Sequence, residues 1–386
     1  MQIKDRMTVR IESIAFGGEG VARADSFVLF VPFTAPGDVA HVEIVSLKKR
    51  FGRARLISLQ EPSALRVTPQ CSAYGLCGGC CYQHIDYDQQ LIIKKNQIRD
   101  AFVKIGRMPD PPAGDVIPSP LPYAYRGKAV LHTGKKNASS LGFMDISGGR
   151  LANIRRCEIM DETINDQIRA FRQGLSDWPA DADITFWSGE GDAKDGPVVR
   201  AVSGREFLIP RDGFFQANLF LTDRMVAEVV RLVSGKKIDT LVDACCGSGL
   251  FSVFLAPYAR RVIGIEIHEK SVKYARLNAE RQGMGNIEFL CGDVEDIFCR
   301  MAQKKEAVDL ILLDPPRAGL SPEVLFAIRD VRASGIIYIS CNPATQARDV
   351  RFLNDAGYDL ESLVPLDMFP QTQHIELIGY LERRRM

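Results

Sequence analysis

Apolar residues in the first 60 positions come in short alternating runs. Met7–Ile14 sets Val9 and Ile11 among polar neighbours, Phe27–Val31 is a second apolar run, and Val39–Val45 alternates again before Phe51–Leu59. A period of two predicts strands, and Gly17-Gly18-Glu19-Gly20 breaks the chain between them. Five short strands are expected here. From Glu61 to about Pro210 the alternation lapses. A cysteine-rich loop at 71–81 precedes a predicted helix, Tyr87–Ile105, and then a linker carrying Pro109, Pro111, Pro112, Pro118, Pro120 and Pro122. Tyr125–Cys157 holds strand-like stretches and glycine turns, but its pattern defines no topology. After Gly213 short β-branched runs alternate with helical stretches. The runs are Thr240–Ala244, Arg261–Glu266, Ile287–Leu290, Val308–Leu313 and Ile336–Ser340. That rhythm predicts a parallel sheet with helices on both faces.

Composition adds boundaries to this picture. A chain of 386 residues exceeds one ordinary core and points to two or three domains. With 46% hydrophobic and 25% charged residues it reads as soluble and globular. No apolar run approaches the roughly 20 residues of a membrane helix, and the first residues lack an apolar signal core. A cytoplasmic, monomeric protein without a membrane partner is the expectation. The small N-terminal barrel is of the oligonucleotide-binding kind. The net charge of +1 neither requires nor excludes nucleic acid, which a local basic face is enough to bind. Lys48, Lys49, Arg50, Arg53 and Arg55 form such a run with no acid among them. A short charge cluster is more often only a solvated face.

The strand Leu241-Val242-Asp243 runs into Ala244-Cys245-Cys246-Gly247-Ser248-Gly249. Glycines there let the backbone approach a ligand at the carboxyl ends of the strands. Glu266, 19 residues after Gly247, ends the next strand, where a carboxylate can accept from both hydroxyls of a ribose. Asp293 ends the third, where a carboxylate can receive an adenine amino group. The third glycine of the dinucleotide fingerprint is missing, so the spacing favours S-adenosylmethionine over a nicotinamide.

Asp314-Pro315-Pro316-Arg317 and Cys341-Asn342-Pro343 follow the fourth and fifth strands and should face the same cofactor. A cysteine at such a turn is either exposed and reactive or simply core. Carbon 5 of uracil is a poor nucleophile until a thiolate adds to carbon 6, and a base must later remove the carbon 5 proton. Glu376, heading the apolar C-terminal strand, is a plausible base because burial raises a carboxyl pKa. His374, two residues earlier, reads better as a hydrogen-bonded structural histidine.

Four segments together resemble the RNA uracil-5-methyltransferases: Arg211–Asn218, the Asp-Pro-Pro-Arg run, Ser340-Cys341-Asn342-Pro343, and Phe369–Glu376. The resemblance implies Cys341 as nucleophile and Glu376 as base. It also implies cofactor and active-site contacts from Gln216, Glu266, Asp293 and Asp314, with backbone near Cys245 and Leu250. Many members carry an aromatic residue where Cys245 stands, so stacking from that position would be lost. Cys246 reads as structural.

Cys71, Cys77 and Cys80 lie within ten residues, and Cys157 is the distant candidate for a fourth ligand. Four thiolates fit tetrahedral zinc or a four-iron cluster, and spacing does not choose. Cys-Gly-Gly-Cys followed by Gln83-His84, with a distant Arg-Cys, is similar to the iron–sulfur motif of many members of this family, which implies a 4Fe-4S cluster rather than zinc. Cys81 reads as packing. The N-terminal barrel resembles the TRAM domain, an RNA-binding module, which strengthens the RNA reading of the basic run.

The expected architecture is therefore a TRAM/OB-like barrel (1–61), an α+β central domain with the cluster loop (62–212), and a Rossmann-like class I methyltransferase domain (213–386). The RNA partner is ribosomal or transfer RNA, with ribosomal favoured by family habit. Two alternatives remain: a methyltransferase of another RNA base, and a non-catalytic RNA-binding iron–sulfur protein.

Overall fold

A computed structural model of the protein describes all residues except 25–26, 135–139, 175–178, 190–195 and 385–386. The chain forms two compact units, both discontinuous in sequence. The first comprises 1–97, 121–189 and 369–374; the second comprises 98–120, 190–368 and 375–386.

The first unit opens with β1 (Arg6–Ile14), β2 (Gly20–Ala24), β3 (Phe27–Val31), β4 (Val39–Leu47) and β5 (Phe51–Glu61). They close into a barrel in the order β1-β2-β3-β5-β4. The fifth strand is β2, which starts directly on Gly20 at the end of the glycine turn. Alternation decides what goes inside: Val9, Ile11, Leu29, Val31, Ala40, Val42 and Ile44 fill the interior. A parallel pairing of β3 with β5 completes closure and leaves no free edge.

Helix α1 (Tyr87–Lys104) comes after the cysteine loop. Strands β6 (Lys128–Thr133), β7 (Leu141–Met144) and β8 (Leu151–Asn153) come next, then α2 (Glu162–Gly174) and β9 (Asp183–Trp187). The order β8-β7-β6-β9 supplies the topology that periodicity did not define. Ile164 and Ile168 of α2 pack with Leu131, Leu141 and Phe186 of this sheet.

In the second unit a hairpin, β10 (Val198–Val202) and β11 (Arg205–Ile209), precedes α3 (Thr222–Val233). The large sheet then begins: β12 (Ile238–Ala244), α4 (Leu250–Leu255), β13 (Ala259–Glu266), α5 (Glu269–Arg281), β14 (Ile287–Cys291) and α6 (Val294–Lys304). It continues with β15 (Leu310–Leu313), α7 (Pro322–Val331), β16 (Gly335–Ser340), α8 (Pro343–Asp355), β17 (Tyr358–Leu366) and β18 (Glu376–Arg383). The order is β14-β13-β12-β15-β16-β18-β17. Five strands are parallel, as the rhythm predicted, and the last two run antiparallel to their neighbours.

The proline-rich stretch is more than a linker. Gly114 and Ile117 donate to Leu363 and Pro365 carbonyls at 3.0 and 2.8 Å, so the stretch lies along β17 and covers that edge of the sheet. Proline suits such a place, where one side of the backbone needs no ladder partner. Among the described residues no helix is long and apolar enough to cross a membrane.

Gly264 in the middle of β13 shows how tightly the sheet is filled near its ligand end. A Cβ there would stand 2.5 Å from the Phe289 ring and 3.1 Å from the Cys246 sulfur. This gives Cys246 its packing role. Gly264→Ala should therefore lower the unfolding free energy by about 1–3 kcal/mol through overpacking. A melting temperature equal to that of the wild type would contradict this account.

Candidate active site and cysteine cluster

The sheet's registers bring the site residues to one edge. Ala244 pairs with both Ile265 and Leu313, so the loop after β12 lies between the ends of β13 and β15. This is the point where strand order reverses, the usual ligand position in such sheets. Ser340 pairs antiparallel with Leu377. Extending that ladder by one residue sets Cys341, leaving β16, opposite Glu376, entering β18. Directly opposed residues are cross-strand neighbours.

The loop after β12 is held from three sides. Glu266 accepts from the amides of Gly247 and His268 at 3.0 and 2.8 Å. Asn278, buried on α5, donates to Ser248 and Leu208 carbonyls at 2.9 Å. Cys245 takes a left-handed φ of 63°, uncommon for a side-chain-bearing residue and costly without such support. Gly247 also has positive φ, and a Cβ placed on it would meet nothing within 4 Å, which leaves open space above the loop. Leu250 begins α4 and is buried. Asp293 caps α6, accepting from Glu295 N at 2.7 Å, and is exposed.

Two polar atoms in this region have no hydrogen-bond partner: Asp243 Oδ1 and Ser248 Oγ, both buried. Asp243 Oδ2 is satisfied by Ser252 Oγ at 2.5 Å. Buried polar atoms are normally paired, so an unpaired acceptor and an unpaired hydroxyl beside an open glycine loop suit a polar ligand. The fit to a ligand with ribose hydroxyls and an ammonium group is good.

Carboxyls dominate the electrostatics. Burial pushes Asp243 up to about 7. Asp314 is likewise pushed up to about 7, by burial and then by Asp243. Glu376 lies well above the usual carboxylate range because it is buried and faces Asp314, while Arg317 opposes the rise. The Cys341 thiol is raised by burial and by Glu376, and lowered by the charge and a hydrogen bond of Arg317. Cys245 is pushed up to about 12, chiefly by burial and then by Asp314. Gln216 is buried and its amide approaches Asp314 Oδ2 at 3.5 Å. Neighbouring Asn218 is structural: its carbonyl caps Phe220 N and Leu221 N, both at 3.0 Å.

Arg317 is the residue that the sequence reading passed over, although it stands in the quoted Asp-Pro-Pro-Arg run. Its carbonyl accepts from Asn342 Nδ2 and Thr345 Oγ1, both at 3.3 Å, so its loop is tied to the Cys341 turn. Asp243 and Ser248 were also passed over. Nothing but their position at a strand end marked them.

The cysteine loop lies in the first unit. Cys71 N donates to Gln83 Oε1 at 3.0 Å, and Gly79 N to Cys77 Sγ at 3.4 Å. Asn165, buried on α2, clamps the Cys157 backbone with bonds of 2.9 and 3.1 Å. The four thiols feel one another. Burial leads in raising Cys77, Cys80 and Cys157 (the last to about 12), and Cys71 adds to Cys77, Cys77 and Cys157 to Cys80, and Cys71 and Cys77 to Cys157. Cys81 instead packs against Ile14, Ala35, Tyr82, Ile85 and Ile93. Among the described residues no three His, Cys, Asp or Glu side chains are disposed around a single metal-ion position. His374 packs edge-on against Phe369 with ring centres 5.9 Å apart, in keeping with a structural role.

The basic run is only partly free. Arg53 is paired with Glu19 at 2.9 Å and Arg55 with Glu43 at 2.8 Å, acids that come from other parts of the barrel. Lys48, Lys49 and Arg50 are exposed on the turn between β4 and β5. Gly17–Glu19, Phe33, Arg53 and the cysteine loop line a groove of about 300 Å³.

This strand order, with a ligand loop at the reversal and a thiol opposite a carboxyl, defines a methyltransferase of the Rossmann-like class. Comparisons with known proteins narrow it. The tRNA (uracil-5-)-methyltransferase family profile matches residues 199–384, and the TRAM domain matches 2–57. An uncharacterized RNA methyltransferase of Thermosynechococcus vestitus is 30% identical, with 97% of each chain covered. One of Gloeobacter violaceus is 31% identical over 98% of this chain and 96% of its own. The crystal structure of the tRNA (uracil-54, C5)-methyltransferase of Pyrococcus abyssi, in complex with S-adenosyl-L-homocysteine, superposes with a TM-score of 0.75. It is 25% identical, covering 97% of this chain and 99% of that one. The chain belongs to the S-adenosylmethionine-dependent RNA (uracil-5-)-methyltransferase family.

The carboxyl of Asp243 yields a stability test. Its folded pKa of about 7 exceeds the ordinary value of 3.8, so the folded state retains a proton that the unfolded chain releases. Its contribution to stability is therefore full at low pH, falls as pH rises from about 4, and is lost above about 7. Asp243→Asn removes this loss. Its melting temperature should gain on the wild type as pH rises from 4 to 8, reflecting about 4 kcal/mol at most. Parallel profiles for the two proteins would sink the assignment.

Proposed function

We propose that the protein methylates carbon 5 of a uridine in structured RNA, with Cys341 as covalent nucleophile and Glu376 as base. The observation that carries this reading is the antiparallel register that sets the two side chains opposite each other at the ligand edge of the sheet. S-adenosylmethionine supplies an electrophilic methyl group. Glu266, Asp293 and the backbone of Cys245–Leu250 would hold it, with Asp243 available to its ammonium.

The Cys341 thiolate adds to carbon 6, and the ring's double-bond electrons move onto the carbonyl oxygen at carbon 4. Carbon 5 then takes the methyl group as the sulfonium bond breaks. Glu376 removes the carbon 5 proton, the ring double bond returns, and the carbon–sulfur bond breaks to release Cys341. Arg317 favours the thiolate that starts this sequence. Gln216 and Asp314 stand where a uracil edge would be read. A base held in such an enclosed site has left its stack.

The RNA would meet the first unit as well. Lys48, Lys49 and Arg50 offer phosphate contacts, and the groove beside Phe33 and the cysteine loop suits an unstacked nucleotide. The Pyrococcus relative is named for transfer RNA, whereas family habit led the sequence reading to ribosomal RNA. Both pools belong in the test.

We further propose a 4Fe-4S cluster on Cys71, Cys77, Cys80 and Cys157. Support comes from the mutual field of the four thiols, which a cationic cluster relieves, and from the Gly79 amide aimed at the Cys77 sulfur. A four-iron cluster takes one thiolate per iron, so its ligand set is wider than that of a single ion. The cluster's role in this reading is structural, since the methyl transfer needs no electron.

Tritium release from RNA labelled at carbon 5 of uridine tests the reaction. Release should require S-adenosylmethionine and vanish in Cys341→Ala, and the responding RNA pool identifies the substrate class. Methyl incorporation without tritium release would defeat the mechanism. Because both Cys341 and Glu376 are raised and must ionise, the rate should climb as pH rises through neutrality. Arg317→Gln should displace that limb upward by about one unit, a tenfold loss at fixed pH. Anaerobically purified protein should carry about four irons per chain. Replacing any one of the four cysteines by alanine should abolish them, and stoichiometric zinc would refute the cluster.

A further inference from the structure

Between Met368 and Ile375 the chain leaves the second unit for six residues, 369–374, which belong to the first. Those six residues are hydrogen-bonded with unusual completeness. Lys94, fully buried on α1, donates to the carbonyls of Phe369 and His374 at 3.1 and 2.9 Å, closing the loop at both ends. Tyr125 donates its hydroxyl to the Pro370 carbonyl at 2.9 Å. Gln90 and Gln371 bond reciprocally: Gln90 Nε2 donates to Gln371 Oε1 at 2.9 Å, and Gln371 N to Gln90 Oε1 at 3.1 Å. The Gln371 carbonyl accepts from both Cys81 N and Tyr82 N, each at 3.0 Å. Gln371 itself is held at a φ of 69°, a left-handed conformation that a free loop would relax.

A buried lysine with two carbonyl partners is an expensive way to tie down a loop that only joins two strands. The residue just past the loop gives it a purpose: Glu376 lies two positions beyond His374. We propose that Lys94, Gln90 and Tyr125 are positioning residues, which fix where β18 begins and thereby the aim of the Glu376 carboxylate at the carbon 5 proton. This rests on the reading of Glu376 as the base.

Thiolate addition and methyl transfer precede the base's step, so a misdirected Glu376 should stall the enzyme after them, with methylated RNA still bonded through carbon 6 to Cys341. Displacement of a reacting group by about 1 Å can cost roughly 100-fold. Purified full-length Lys94→Met and Tyr125→Phe would be incubated with S-adenosylmethionine and the RNA pool that the wild type methylates. Covalent protein–RNA adduct would be measured on denaturing gels beside kcat and KM. The expected result is adduct accumulation with kcat reduced about 100-fold in Lys94→Met, and less in Tyr125→Phe, with KM for RNA nearly unchanged. Tyr125→Phe removes a single hydroxyl and keeps the test alive should Lys94→Met fail to fold.

Adduct and turnover falling together, alongside a lower melting temperature, would show a merely structural role and overturn the proposal. Product release at the wild-type rate from both variants would overturn it too. Glu376→Gln separates the two levels. Adduct in Glu376→Gln but in neither clamp variant removes the clamp alone; free release from Glu376→Gln removes the base assignment and the clamp's purpose with it.

Discussion

The arrangement of the site depends on the direction of one strand. Had β18 run parallel to β16, residue 376 would have entered at the opposite edge of the sheet, far from the turn after Ser340. Reversal brings the start of one strand to the end of its neighbour, and backbone hydrogen bonds fix the meeting to a single residue. A slip of one position would turn every side chain of β18 to the other face. The buried run Leu377–Leu381 forbids that slip, because these residues contribute to the core on both faces of the sheet. Apolar packing therefore sets the aim of a carboxyl group.

The same edge holds its acids at a cost. Asp243, Asp314 and Glu376 lie close enough to raise one another, and Arg317 is the cation that opposes the rise at Glu376. Left to stability alone, apolar residues would serve better here. The cysteine loop repeats the theme with thiols, where burial and mutual repulsion accumulate around one small volume. In both places charge is withheld until a partner arrives: a substrate at the sheet edge, a metal cluster in the loop.

The strands that carry the site were readable because β-branched runs and their carboxyl-end punctuation are local signals. Phe27–Val31 and the start of β18 at Glu376 fall where the pattern put them. Other features are not local. The proline-rich stretch looks like a linker because proline breaks ladders, yet a sheet edge needs only one side of the backbone, and the sequence does not advertise β17 as its companion. Arg53 and Arg55 read as free because their acids, Glu19 and Glu43, come from elsewhere in the barrel. Arg317 was visible as a letter in a motif, but its bearing on Cys341 arises only when two loops, 24 residues apart, are tied at Asn342 and Thr345. The mixed middle of the chain had no strong period, and its four-stranded order rests on pairings between distant segments such as β6 with β9.

The interleaving of the two units has a consequence for how the molecule comes into being. During synthesis the barrel can close once residue 61 has emerged, because its strands are contiguous. The rest of the first unit cannot: the carbonyls that satisfy Lys94 and the amides of Cys81 and Tyr82 belong to residues 369–374, made about 280 positions later. Until then a buried-in-waiting lysine and an open cysteine loop must stay solvated on the ribosome. The nascent chain thus spends most of its translation time with its metal-binding cysteines accessible, and the last segment to be made is the one that shuts them in.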